Sequence, residues 1–301
     1  MAIESLEAAL ERFGVPVYVY HEIVHNQWVV SRFQRRGAVF VDDLSQVPPG
    51  GNLLYSAHGV SPEIRKQARE RNLRTIDATC PLVTKVHREA MSYARMGYMI
   101  VLIGHHGHDE VVGTMGEVEA LSGQETSPKI VLVASRDDVD RLEVPNTDKL
   151  AYLTQTTLSV DDAAEIIARL RQRFPAIVGP AKEDICYATQ NRQEAVRELS
   201  AEAEIALIVG SGNSSNSLRL AELAAASGLR THLIDGADDI DPAWFSGDET
   251  VLITAGASAP ETVVQDCVHV LCERFQAVIE NRSLREENVR FLLPKDLRDL
   301  P

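Results

Sequence analysis

The sequence predicts an α/β protein built from repeated modules with mainly parallel sheets arranged around one centre. Two observations predict it. Short β-branched runs alternate with helical patterns along the whole chain, which is the signature of parallel sheets covered by helices on both faces. Five strand ends also share one character, each passing through small or polar residues into a helix: "LLYSAHGVSP", "VLIGHHGHDE", "AYLTQTTLSVDD", "ALIVGSGNSSNS" and "LITAGASAPE". In open α/β sheets ligands bind at the carboxyl ends of strands, where the following helix offers unpaired N–H groups to an anion.

The elements follow in order. "MAIESLEAALERFG" (1–14) has the spacing of an amphipathic helix and lacks the basic and apolar regions of a signal peptide. Strands are expected at 15–20, 38–41, 52–57, 74–78, 99–104, 129–134, 150–155, 176–179, 205–210, 231–235 and 251–256. Between them the apolar spacing predicts helices at 61–72, 82–97, 159–175, 191–203 and 261–275. No linker of low complexity interrupts the pattern, and the most apolar run, "MIVLIG", is far too short to span a bilayer.

Composition narrows the function classes. The chain has 301 residues, 45% hydrophobic and 25% charged, with a formal net charge of −14. That balance argues against nucleic acid and against anionic membranes as partners, and a start unlike a signal peptide with no bilayer-spanning run makes the cytoplasm the default expectation. A site can still be locally favourable to an anion. Three of the five strand-end loops carry no Lys or Arg and are dense in hydroxyls and amides, which reads as a neutral cradle for a phosphate or diphosphate. The plainer reading is that Ser, Thr, Asn and Gly suit turns and helix caps.

Residues 21–25 spell H-E-x-x-H, a zinc-hydrolase motif when it lies on a helix. Here Pro16, Val17, Tyr18, Val19 and Tyr20 precede it and favour a strand. Along a strand at roughly 3.3 Å per residue, His21 and His25 stand about 13 Å apart, too far to share one ion. His58 and the cluster His105, His106 and His108 lie at strand ends and suit donors to a diphosphate. Glu110 is the best-placed carboxylate for proton transfer, although an acid in a first helical turn is also simply favoured by the helix dipole. Of the four cysteines, Cys80 and Cys186 sit where a chain enters a helix, a place that supports metal thiolates. Cys267 and Cys272 share one apolar helix and read as packing residues. No flavin or nicotinamide fingerprint is present.

The ordered motifs "HEIVHN", "SAHGVS", "DATCPLVTKVH", "GHHGHDEVVGTMG", "TQTTLS", "EDICYATQNRQ", "VGSGNSSNSLRL" and "TAGASAP" resemble the 4-hydroxy-3-methylbut-2-enyl diphosphate reductases, iron–sulfur enzymes that end the methylerythritol phosphate route to isoprenoids. The resemblance runs from about residue 2 to 293. It implies three similar α/β modules around a central cluster site, with modules at 1–80, 81–182 and 183–275 and a tail at 276–301. It further implies a 4Fe–4S cluster held by three thiolates, Cys80 and Cys186 among them, with one iron open to the substrate hydroxyl. His25, His58, His108, Ser214, Ser215, Asn216 and Ser258 are implied as substrate ligands, Glu110 as the proton donor and Thr156 as its partner. His21 is left a packing or supporting role. Electrons are expected from an external carrier such as ferredoxin or flavodoxin.

The sequence departs from the family in two places. Gly212 stands where the family more often has Lys. The family also opens with a strand and an "N-P-R-G-F-C-A-G"-like loop that carries a further cluster cysteine, and this chain has no counterpart to it. The expectation is that Met1 is an internal methionine and that the native product carries a short extension with that cysteine. The alternative is a truncated or paralogous diphosphate-binding protein with no functional cluster.

Overall fold

The structure is a computed structural model that describes residues 1–122, 129–285, 287 and 289–298. Among the described residues the strands form three separate sheets, and every strand pair is parallel. The three parallel-sheet modules agree with the fold class read from the sequence.

The first module runs through α1 (Ala2–Phe13), β1 (Val17–Tyr20), α2 (Gln27–Arg35), β2 (Ala38–Val41), β3 (Asn52–Tyr55), α3 (Pro62–Glu70) and β4 (Arg74–Asp77), with strand order β2-β1-β3-β4. Helix α1 buries Ala2, Leu6, Ala9 and Leu10, the one-face spacing that its sequence predicts. The start of α3 is fixed by Ser61, whose hydroxyl accepts the Ile64 N–H, with Pro62 at the first helical position.

The second module contains α4 (Pro81–Arg95), β5 (Met99–Ile103), α5 (Asp109–Ser122), β6 (Ile130–Val133), α6 (Arg136–Arg141), β7 (Leu150–Thr154) and α7 (Val160–Arg173), in the order β6-β5-β7. All five residues of β7 and four of the five in β5 are buried. Helices cover both faces of the sheet, so its strands read as continuous apolar runs without alternation.

The third module contains α8 (Tyr187–Leu199), β8 (Ile205–Val209), α9 (Ser215–Ala226), β9 (Arg230–Ile234), β10 (Val251–Ala255) and α10 (Glu261–Phe275), in the order β10-β8-β9. Near the carboxyl end, α11 (Lys295–Arg298) lies against α1, where Arg12 donates to the Asp296 carbonyl. The chain forms two compact units. The first comprises Met1–Ile23, Gln34–Cys186 and Arg290–Pro301, and the second Val24–Phe33 and Tyr187–Val289. The first unit holds the first two sheets and the second unit holds the third.

One expected strand is corrected. Residues 176–179 form only an isolated bridge from Val178 to Ala151. Pro175 and Pro180 flank the segment, and Pro180 has no N–H with which to extend a ladder. Gly179 also lies flat against the Tyr152 ring, where an added Cβ would stand 2.5 Å from ring carbon. Helix α2 was not expected from the sequence. It is started by Asn26, whose side-chain oxygen accepts the Val29 N–H at 2.9 Å.

Candidate active site

In the first unit, β5 leads through Gly104–His108 into α5, placing Glu110 in the first turn with 2% exposure. The loop after β7 faces it. Glu110 Oε1 accepts the Thr156 N–H at 2.7 Å, and Oε2 accepts the Thr156 hydroxyl at 2.8 Å. Burial pushes the Glu110 carboxyl up to about 7; the two Thr156 donors oppose the rise and Asp184 adds to it. A carboxyl poised there can hold or release a proton near neutral pH. Gln155 ties the two loops together, its Oε1 accepting the His105 N–H at 2.9 Å and its Nε2 donating to Thr157 Oγ1 at 2.8 Å.

The imidazoles of this unit are oriented by their Nδ1 atoms. His108 Nδ1 accepts the Glu110 N–H at 3.2 Å, so the ring proton sits on Nε2. His58 packs edge-on to His108 with ring centroids 5.7 Å apart. Its Nδ1 is 3.4 Å from Ser56 Oγ and 3.7 Å from Asp109 Oδ2. The other oxygen of Asp109 takes His21 Nδ1 at 2.7 Å, a bond that raises the His21 pKa. His21 follows β1 in a left-handed conformation, φ 56°, with its ring stacked on Tyr20. The H-E-x-x-H stretch is therefore irregular and not helical, and His21 supports the carboxylate beside His58.

Cys80 and Cys186 also belong to this unit, and both are of intermediate burial and outside any disulfide. Cys80 caps α4, and its N–H is held by the Ala57 carbonyl at 2.9 Å. Burial is the main cause that raises the Cys80 thiol, with Cys186 and Glu110 adding to it, while the N–H groups of Leu82 and Val83 oppose it. Cys186 directly precedes α8, and its N–H donates to the Thr156 carbonyl at 3.0 Å. A thiol at the start of α4 and another directly before α8, both in this unit, are two of the thiolate donors that an iron–sulfur group takes.

The second unit carries His25, Ser214, Ser215, Asn216 and Ser258. Ser214 caps α9, accepting the Ser217 N–H at 3.3 Å, and Ser215 opens the helix. Asn216 is buried, yet neither its amide nitrogen nor its oxygen has a partner among the described residues. Buried amides are ordinarily paired, so this one is built to receive something polar. Ser258 Oγ donates to the His25 carbonyl at 3.1 Å. The Gln27 N–H donates to Ser211 Oγ at 2.8 Å, and Ser211 in turn donates to Asp235. These bonds fix the His25 segment to the loops after β8, β9 and β10.

Several residues of these sites were not singled out by sequence reasoning. Ser217 is fully buried with a hydroxyl that has no partner among the described residues, Asp109 joins His21 to His58, and Lys85 pairs with the buried Asp184. All lie inside or beside the quoted motifs, but nothing in the sequence pairs Lys85 with a residue 99 positions away.

A parallel α/β fold whose first unit carries two cysteines at helix starts and a buried acid with its pKa raised to about 7 has the groups of a redox enzyme. The chain belongs to the LytB protein family, which it matches over residues 1–272, a family of iron–sulfur oxidoreductases. It is 60% identical over 298 residues to the 4-hydroxy-3-methylbut-2-enyl diphosphate reductase of Rhodopirellula baltica, covering 99% of this chain and 91% of that protein. The reductase of the same name from Hahella chejuensis is 54% identical, with 99% of this chain and 92% of that one covered. Among solved structures, the E-1-hydroxy-2-methyl-but-2-enyl-4-diphosphate reductase from Plasmodium falciparum superposes with a TM-score of 0.91 at 38% identity, covering 98% of this chain and 91% of that chain. A second, (E)-4-hydroxy-3-methyl-but-2-enyl diphosphate reductase, the terminal enzyme of the non-mevalonate pathway, gives a TM-score of 0.65 at 30% identity, covering 90% of this chain and 93% of the other.

Proposed function

We propose that this protein reduces 4-hydroxy-3-methylbut-2-enyl diphosphate to isopentenyl and dimethylallyl diphosphate, the last step of the methylerythritol phosphate pathway. The observation that carries the reading is the buried Glu110–Thr156 pair, with the Cys186 N–H on the Thr156 carbonyl. The reaction takes up two electrons and two protons: the allylic C–O bond breaks, its oxygen leaves as water, and a C–H bond forms at one end of the allyl group or the other.

Cys80 and Cys186 would supply two of the three thiolates for a 4Fe–4S cluster, which when bound would supply the two electrons one at a time. The electrons arrive from an external carrier such as ferredoxin or flavodoxin. Glu110, protonated near neutral pH, delivers a proton toward the departing oxygen, and Thr156 fixes the direction in which the carboxyl points. We assign the diphosphate donors to His25, His58, His108, Ser214, Ser215, Asn216 and Ser258. His108 is held at Nδ1 by the Glu110 N–H, and Asn216 offers an amide that has no partner among the described residues. Anchoring the diphosphate turns the reductive step into one between fixed groups. Among the described residues no helix is long and apolar enough to cross a membrane, and we place the reaction in the cytoplasm.

Glu110→Gln tests the reading. The variant keeps its iron and sulfide content and its affinity for inorganic diphosphate, and loses about 100-fold or more in turnover. Near wild-type turnover overturns the role of Glu110. A second reading, a diphosphate-binding protein without redox chemistry, is favoured by the polar cradle of the second unit, which needs no thiol for its own construction. Iron and sulfide analysis of protein purified without oxygen separates the two.

A further inference from the structure

We infer that the Lys85–Asp184 ion pair is a positioning clamp that sets how the Cys80 and Cys186 thiolates are held relative to each other. The inference rests on the reading of these cysteines as cluster ligands. Lys85 lies on α4, five residues after Cys80, and Asp184 lies two residues before Cys186. The Lys85 ammonium is 2.7 Å from Asp184 Oδ1 and also donates to the carbonyl oxygens of Lys182 at 2.6 Å and Glu183 at 3.3 Å. Glu89, one turn further along α4, stands 3.4 Å from the same ammonium. One cation therefore gathers three consecutive residues of the approach to Cys186 onto the helix that Cys80 begins.

The second oxygen of Asp184 is also committed. Oδ2 accepts the Thr154 N–H at 3.0 Å, at the end of β7. Two residues later Thr156 holds Glu110 with its own N–H and hydroxyl, and its carbonyl receives the Cys186 N–H at 3.0 Å. A single carboxylate thus joins the segment of Cys80, the segment of Cys186 and the loop that orients the acid. Its side chain is fully buried, 0% exposed, while Lys85 is 27% exposed. Between the bridge at Val178 and the start of α8 the chain forms neither helix nor strand, so side-chain bonds fix its path.

An ion pair with its carboxylate fully buried is a poor device for stability, because desolvation of the carboxylate cancels much of the attraction, but it is a good device for fixing register. Around metal centres, the groups that hold the ligands in place govern affinity and the electronic character of the centre. Lys85 and Asp184 reach both thiol-bearing segments without being ligands themselves, which is the arrangement of positioning residues.

The test uses Lys85→Met, Asp184→Asn, the double variant and Lys85→Arg, each purified without oxygen. Four quantities are measured: iron and sulfide content, the electron paramagnetic resonance spectrum of the reduced protein, the rate of iron loss to a chelator, and, in iron-free protein, the rate at which dibromobimane bridges Cys80 to Cys186, followed by peptide mass. Either single variant is expected to lose iron about ten-fold faster. Its spectrum changes shape, and the bridging rate departs from wild type by a comparable factor. Lys85→Arg stays near wild type on all four, since a guanidinium still reaches Asp184 and the two carbonyls. Folded single variants with wild-type rates and spectrum overturn the clamp. Should a lone buried charge prevent folding of Lys85→Met, the double variant, neutral on both sides, decides by the same measurements. Wild-type protein without iron and sulfide overturns the cluster reading instead, and the bridging rate in iron-free protein then decides the clamp alone.

Discussion

Glu110 opens a helix, where a carboxylate is ordinarily favoured by the dipole, yet its pKa is raised and not lowered. Desolvation exceeds the help of two donated hydrogen bonds, and that balance makes it an acid near pH 7. The consequence for stability has a definite sign. The folded pKa, about 7, lies above the model-peptide value of 4.5, so the folded state keeps its proton where the unfolded chain has lost it. The contribution is fully present below pH 4.5 and is lost as pH rises through 7, an effect on the order of 3 kcal/mol. Glu110→Gln removes this slope, because an amide does not titrate, and it keeps the geometry by accepting the Thr156 N–H and donating to the hydroxyl oxygen. In urea unfolding of the iron-free protein, the variant gains on wild type between pH 5 and 8; parallel pH profiles would show that Glu110 is ionised throughout. The identity of the acid was legible from its place in "GHHGHDE", but its protonation state was not, because burial sets it against two hydrogen bonds from Thr156, 46 residues away.

Helix α9 shows how an element presents a site. Ser217 in its first turn lies between two strand-end glycines, and a Cβ added at Gly210 or at Gly256 would stand 2.1 Å from its hydroxyl oxygen. Both glycines are needed for close approach of the helix to the ends of β8 and β10. Gly210→Ala and Gly256→Ala are each expected to destabilise by about 1–3 kcal/mol in urea unfolding. The two differ in rescue. The Ser217 Cβ is 2.7 Å from the position added at Gly210 but 3.3 Å from that at Gly256, so Ser217→Ala relieves the second clash and not the first. Equal rescue of both would mean that the backbone moves and that the close approach is not required. The sequence placed Ser214, Ser215 and Asn216 at this helix start, but the buried Ser217 behind them emerges only from packing across two strands.

Across the whole molecule, the thiols, the acid and two of the imidazoles belong to the first unit, and the neutral amide and hydroxyl donors to the second. Cys80 stands where the first module passes into the second, and Cys186 is the last residue of the long segment of the first unit. A group bound by both cysteines in the folded state only must stabilise that state by mass action. Chelating iron from oxygen-free protein therefore lowers the melting temperature, and Cys186→Ser protein melts at that lower temperature with or without chelator. An unchanged melting temperature on iron removal would contradict ligation by these residues.

The sequence by itself determined the parallel modules, because apolar strand runs and helical spacing are local patterns, and it determined the loops that carry the chemistry, because thiols, imidazoles and hydroxyls at strand ends are visible one residue at a time. It could not decide which of those groups meet. The pairing of Glu110 with Thr156, of His21 with Asp109 and of Lys85 with Asp184 spans 46, 88 and 99 positions. The same holds for the loss of the strand expected at 176–179, which depends on flanking prolines and on the Tyr152 ring. Hydrogen bonds and desolvation act over a few ångströms of space and not along the chain, so burial, protonation and orientation were decided only when the tertiary structure brought those segments together.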